Sequence, residues 1–171
     1  MHKVRWGVEF LAILAAASLA VAQTGKGPAK APAAAQPAHK TLLPADLKWA
    51  PIIPGADMAV VDGDPNKTGG IFTIRIKSAA GTKILPHYHP TDELVTVLQG
   101  SLGVAIGDQF DEKALTPLPV GGFISIPKQM HHYAFSKVAS ILQVHGEGPF
   151  KVIFVNPADD PANKAGAAKK K

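Results

Sequence analysis

Three side chains in one short stretch can do chemistry together. In the run Gly81-Thr-Lys-Ile-Leu-Pro-His87-Tyr-His89-Pro-Thr-Asp-Glu93-Leu-Val-Thr-Val-Leu-Gln-Gly100, two imidazoles and a carboxylate recur at short intervals. His87 and His89 lie two residues apart, so on a strand both leave the same face. Pro90-Thr91-Asp92 is a turn-forming run that brings a second strand, beginning at Glu93, back beside the first. Two imidazole nitrogens and a carboxylate oxygen on one face suit a divalent ion that accepts nitrogen and oxygen ligands. An isolated H-x-H has a bland reading, two exposed strand histidines. Adding Glu93 and the flanking glycines changes the balance. From this chain's composition, chance produces the five fixed positions with a frequency on the order of one in twenty thousand.

Those five positions match a spacing of G-x5-H-x-H-x3-E-x6-G and so resemble the first signature motif of the cupin superfamily. The second cupin motif, G-x5-P-x-G-x2-H-x3-N, is similar to Gly121-Gly-Phe-Ile-Ser-Ile-Pro127-Lys-Gln129-Met-His131-His132-Tyr-Ala-Phe-Ser136. Gly121 and Pro127 stand in place, and His132 falls on the metal-ligand histidine. Gln129 replaces the glycine and Ser136 the asparagine, which puts the local turn in question rather than the metal. The resemblance implies a ligand set of His87, His89, Glu93 and His132 around a divalent ion. Neighbouring strand residues face opposite ways, so His131 is expected outward or on the rim. No catalytic residue beyond these ligands is identified.

The elements that must position these residues read as β. Short β-rich runs cover Ala59–Val61, Ile71–Lys77, Thr82–His89, Glu93–Gln99, Leu102–Ile106, Phe123–Ile126, His132–Phe135, Ile141–His145 and Lys151–Val155. Phe72, Ile74 and Ile76 alternate with Thr73, Arg75 and Lys77, the pattern of a half-buried strand. Gln99-Gly100-Ser101 separates two strands as a tight turn would. Outside the leader, no long helical period occurs. An all-β sandwich or barrel follows, and the motif resemblance selects the cupin-type jelly-roll (double-stranded β-helix) barrel. Polar groups near its mouth are expected from Gln99, which shares strand parity with Glu93, and from Gln143 and His145 on a later strand. His145 is read as a hydrogen-bonded neighbour of the site rather than a ligand. Tyr88 and Tyr133, each beside a ligand, are expected to pack on the opposite face.

Around this domain the composition changes. Residues 1–22 read as a secretory signal peptide: His2, Lys3 and Arg5, then the apolar Leu11–Leu19, then a small-x-small site at Ala20-Val21-Ala22. The apolar run is too short to span a membrane. Residues 23–40, with six alanines, three prolines and three lysines, read as a linker, and 159–171 as a basic flexible tail. Residues 41–158 are left as one cupin domain. The chain carries a net +5 but this domain holds nine Lys/Arg against ten Asp/Glu, a net of −1, so the basic character belongs to the ends. A nucleic-acid face is therefore not expected, nor is a stable membrane anchor after cleavage. With no cysteine there is no disulfide and no thiolate-rich zinc site. The expected location is the periplasm or the medium.

Three imidazoles and one carboxylate suit Mn, Fe, Ni, Co or Zn, and the sequence does not choose among them. Such a centre attracts a small polar or anionic molecule. The resemblance implies either a small metalloenzyme with dioxygenase-, isomerase- or decarboxylase-like chemistry or a non-catalytic binding or sensing module. A homodimer is expected from resemblance alone.

Overall fold

The computed structural model describes residues 39–163. The signal-peptide reading of 1–22 lies outside them, as do most of the linker and all of the tail beyond 163. Among the described residues no helix is long and apolar enough to cross a membrane. Alternating apolar residues give eleven strands: β1 Ala50–Ile53, β2 Ala56–Asp62, β3 Ile71–Ser78, β4 Thr82–Tyr88, β5 Glu93–Gln99, β6 Ser101–Ile106, β7 Thr116–Pro119, β8 Phe123–Ile126, β9 His132–Ser136, β10 Ser140–Glu147 and β11 Ile153–Phe154. One sheet runs β1-β2-β3-β10-β5-β8 and the other β11-β4-β9-β6-β7. Every pairing is antiparallel. This is a jelly roll: two sheets whose inner faces close on one core.

The period-2 residues meet in that core. Phe72, Ile74 and Ile76 of β3 are buried with Val95 and Val97 of β5, Leu102 and Val104 of β6, and Leu142 and Val144 of β10. Each fully buried side chain of this size contributes about 1.5–3 kcal/mol of apolar transfer, so the shared interior is what holds the sheets together. β1 and β7 do not stand among the sequence-derived strands. Both contain proline, in Ala50-Pro-Ile-Ile53 and Thr116-Pro-Leu-Pro119, and both are edge strands. Proline cannot donate a ladder hydrogen bond and is tolerated at strand edges and at bulges.

The turn at Gly100 has a steric cause. Its φ of 74° is left-handed, and an added Cβ would lie 2.4 Å from the Ala139 carbonyl oxygen. β5 and β6 lie in opposite sheets, and the start of β5 faces the end of β4 and the start of β9.

Candidate metal centre

His87 sits near the end of β4, opposite His132 on β9 in the strand register. His89 lies just past β4, and Glu93 begins β5 in the other sheet, so the four residues bridge the two sheets. The expected hairpin does not form: the Pro90-Thr91-Asp92 turn carries the chain across to the facing sheet, where β5 pairs with β10 and β8 rather than with β4. All four are buried. A register shift between Ile84 and His87 carries the inward aim of β4 across Pro86, which has no N–H to offer a partner. Ile84 and His87, three residues apart, both reach the interior for this reason.

The three rings are held alike. His87 donates Nδ1–H to the Leu85 carbonyl at 2.7 Å and His132 to the Met130 carbonyl at 2.9 Å, each two residues back. His89 donates to the Lys151 carbonyl at 2.7 Å. A carbonyl only accepts, so Nδ1 carries the proton and each neutral ring keeps its lone pair on Nε2. These lone pairs converge: one nitrogen from each of His87, His89 and His132 lies within 4.8 Å of the others. The Nε2 atoms of His132 and His89 also lie 3.3 and 3.5 Å from Glu93 Oε2. The His89 nitrogen is buried and makes no hydrogen bond.

Lone pairs gathered on a carboxylate oxygen repel unless a positive species sits among them. A cation fits this donor set, three imidazole nitrogens and one carboxylate oxygen, each nitrogen pre-aimed by a carbonyl behind it. The electrostatics favour ligand forms. Burial, and then the neighbouring His132 and His89, push His87 down to about 3, so it stays neutral near neutral pH. Burial alone would raise the Glu93 carboxyl, but His132 and His89 outweigh it and hold it well below the usual carboxylate range.

The structure corrects the expected polar surroundings. Gln99 is exposed at the far end of β5 from Glu93. Gln143 faces outward beside Arg75, whose Nε donates to its Oε1 at 3.4 Å. His145 lines a separate groove of about 500 Å³ with Asp92, Lys128 and Glu147. Strand parity is the reason: Leu142 and Val144 take the interior face of β10, leaving Gln143 and His145 to the other. In β5, a register shift near Gln99 breaks the parity it would share with Glu93. His131 is outward as expected, 38% exposed, with Nδ1 2.6 Å from Asp108 Oδ1. Its ring stacks on Tyr88 at 5.0 Å. Tyr133 packs beneath Phe110, and its hydroxyl donates to the Asp111 carbonyl at 3.2 Å.

Residues that the sequence did not single out complete the site. Phe150 stacks on His89 with centroids 4.8 Å apart and planes 15° from parallel. The loop between β10 and β11 therefore supplies both that ring and the Lys151 carbonyl. A cavity of about 250 Å³ opens on His87, His89 and Glu93. Ile52, Ile53, Ile84, Phe150, Val152 and Phe154 form its apolar walls, and Asp160, Pro161 and Ala162 reach it from the C-terminal side. A larger groove of about 670 Å³ along β1 contains none of the four site residues. The walls are thus less polar than expected. No sequence signal marked Phe150 or Asp160, because neither belongs to a periodic or motif-spaced set.

No family model matches the sequence, and no curated protein matches it. Solved structures match in fold. The polyketide cyclase RemF from Streptomyces resistomycificus has a TM-score of 0.61 at 18% identity, covering 75% of this chain and 94% of that one. An RmlC-like cupin from Shewanella frigidimarina has 0.53 at 15%, covering 64% and 91%. KdgF from Halomonas sp. has 0.52 at 19%, covering 64% and 95%. The chain has the cupin-type jelly-roll fold.

Proposed function

We propose that this chain is a metal-binding cupin, and that His87, His89, Glu93 and His132 hold a divalent ion next to a pocket for a small molecule. One observation carries the reading: the buried, unpartnered Nε2 of His89 points with that of His132 at a single carboxylate oxygen. When bound, a divalent cation with this ligand set supplies Lewis-acid or redox chemistry to a chelating ligand. The chain's own residues do the rest. Leu85, Met130 and Lys151 carbonyls orient the imidazoles. Phe150 and the isoleucines exclude water from the inner wall.

A small metalloenzyme is the reading this geometry supports best, since a donor set this completely pre-aimed leaves room for a chelating substrate. One fold relative, RemF, is a polyketide cyclase, which agrees with catalysis on a small molecule. The second reading, a non-catalytic binding or sensing module, is favoured by one observation. Beyond the four site residues, Asp160 is the only titratable side chain lining the cavity among the described residues.

Elemental analysis of the purified protein tests the centre. About one equivalent of Mn, Fe, Ni, Co or Zn is expected, reduced tenfold or more in affinity by His89→Ala or Glu93→Ala. Unchanged metal content in both variants would refute it. Turnover of metal-loaded protein across diketones, phenols and organic acids, followed by oxygen uptake and product analysis, separates the two readings. We further propose export directed by residues 1–22, for which the mature chain would begin at Gln23 on N-terminal sequencing.

A further inference from the structure

Among the described residues, the cavity beside the four site residues has one charged group that is not part of the metal set. Asp160 reaches it from the segment that follows the 3-10 turn Pro157–Asp159. Its position is fixed locally. Asp160 Oδ1 accepts from the Ala162 N–H at 2.8 Å, and the Asp160 carbonyl accepts from the Asn163 N–H at 3.1 Å. Among the described residues no lysine, arginine or histidine pairs with this carboxylate. Ile52, Ile53 and Val152 surround the same opening with hydrocarbon.

A carboxylate at the solvent-facing mouth of an apolar cavity discriminates ligands by charge, and with no cation beside it among the described residues the ligand's distal group meets its field directly. We propose that Asp160 is a specificity determinant: it selects ligands that chelate the metal at one end, carry an apolar or aromatic body, and present a hydrogen-bond donor or cation at the other. A ligand with a second carboxylate at that far end is rejected. The inference rests on the metal-centre reading and adds to it the polarity of the ligand's distal end. It also reverses part of the sequence-based expectation, since an anionic group is favoured only at the metal.

The test uses cobalt-loaded full-length protein and three chelating probes: benzohydroxamate and its para-aminomethyl and para-carboxy derivatives. Binding is measured by isothermal titration calorimetry, and cobalt content by elemental analysis. Wild-type protein is expected to bind the aminomethyl probe about fivefold or more tighter than the carboxy probe. In Asp160→Asn that ratio falls to about one, while affinity for the parent probe stays within about twofold. Asparagine keeps the Oδ1 acceptor for Ala162, so the turn survives the change. Raising the salt should narrow the wild-type ratio, as expected for a charge at a solvent-facing rim. Retained cobalt with the same ratio in both proteins, or a wild-type preference for the carboxy probe, would overturn the role of Asp160 alone. Failure of wild-type protein to retain cobalt would overturn the metal reading and this inference with it.

Discussion

Two adjacent imidazoles divide the work at the start of β9. His132 turns inward, is 2% exposed, and has its Nδ1 anchored to Met130. His131 turns outward to Asp108 and Tyr88. His132→Ala is expected to weaken metal binding tenfold or more, whereas His131→Ala leaves it unchanged; competition against a chromophoric chelator measures both. The opposite result would mean that β9 is shifted by one residue. Spacing alone singled out His87, His89 and Glu93 because all three fall within seven residues around one turn. Choosing His132 over His131 required the motif resemblance, since adjacent strand residues look alike until a face is assigned.

At the scale of elements, the turn before β9 and the loop after β10 set the ring orientations. Gln129 stands where the motif resemblance has glycine, and it keeps the glycine conformation, with φ of 62°. Its N–H donates to the His89 carbonyl at 2.8 Å, so the turn ties β9 to the segment that carries His87 and His89. A side chain in the left-handed region costs about 1 kcal/mol. Gln129→Gly is therefore expected to raise stability by up to about 1 kcal/mol, seen as a higher urea midpoint with metal content unaltered. Phe150 does the corresponding work on the other side, between His89 and Phe72, whose ring centroid is 5.4 Å away. Phe150→Ala should lower stability by about 2–3 kcal/mol and loosen His89, read as weaker metal retention during dialysis. The strands around these loops were legible from period-2 alternation. β1 and β7 were not, because their prolines obscure the strand pattern that edge positions permit.

Across the whole molecule, the site couples folding to protons. His87 ordinarily titrates near 6.5 but is held down to about 3 in the fold, first by burial. Below pH 6.5 the unfolded chain takes up a proton that the folded chain refuses, so stability is present above that pH and falls as acid is added. Glu93, held low in the fold, adds loss of the same sign below its ordinary value of 4.5. Urea unfolding of metal-free protein at successive pH values should show a falling midpoint from about pH 6.5 downward. Metal should be released over the same range, because ligation needs neutral imidazole. Above it, saturating metal at a hundred times its Kd would add about 2.7 kcal/mol, measured as a rise in Tm.

The sequence by itself determined most of the strands, the closeness of His87, His89 and Glu93 around one turn, and a core built from Phe72, Ile74 and Ile76. Each follows from local spacing, which fixes the face on which a side chain emerges. Tertiary structure alone decided which face is the interior. It turned Gln143 and His145 outward, carried the inward aim across Pro86, brought Lys151 to a histidine 62 residues away, and set Asp160 at the cavity. Those outcomes depend on how two sheets close on each other, and no short stretch of chain encodes the position of its distant partner.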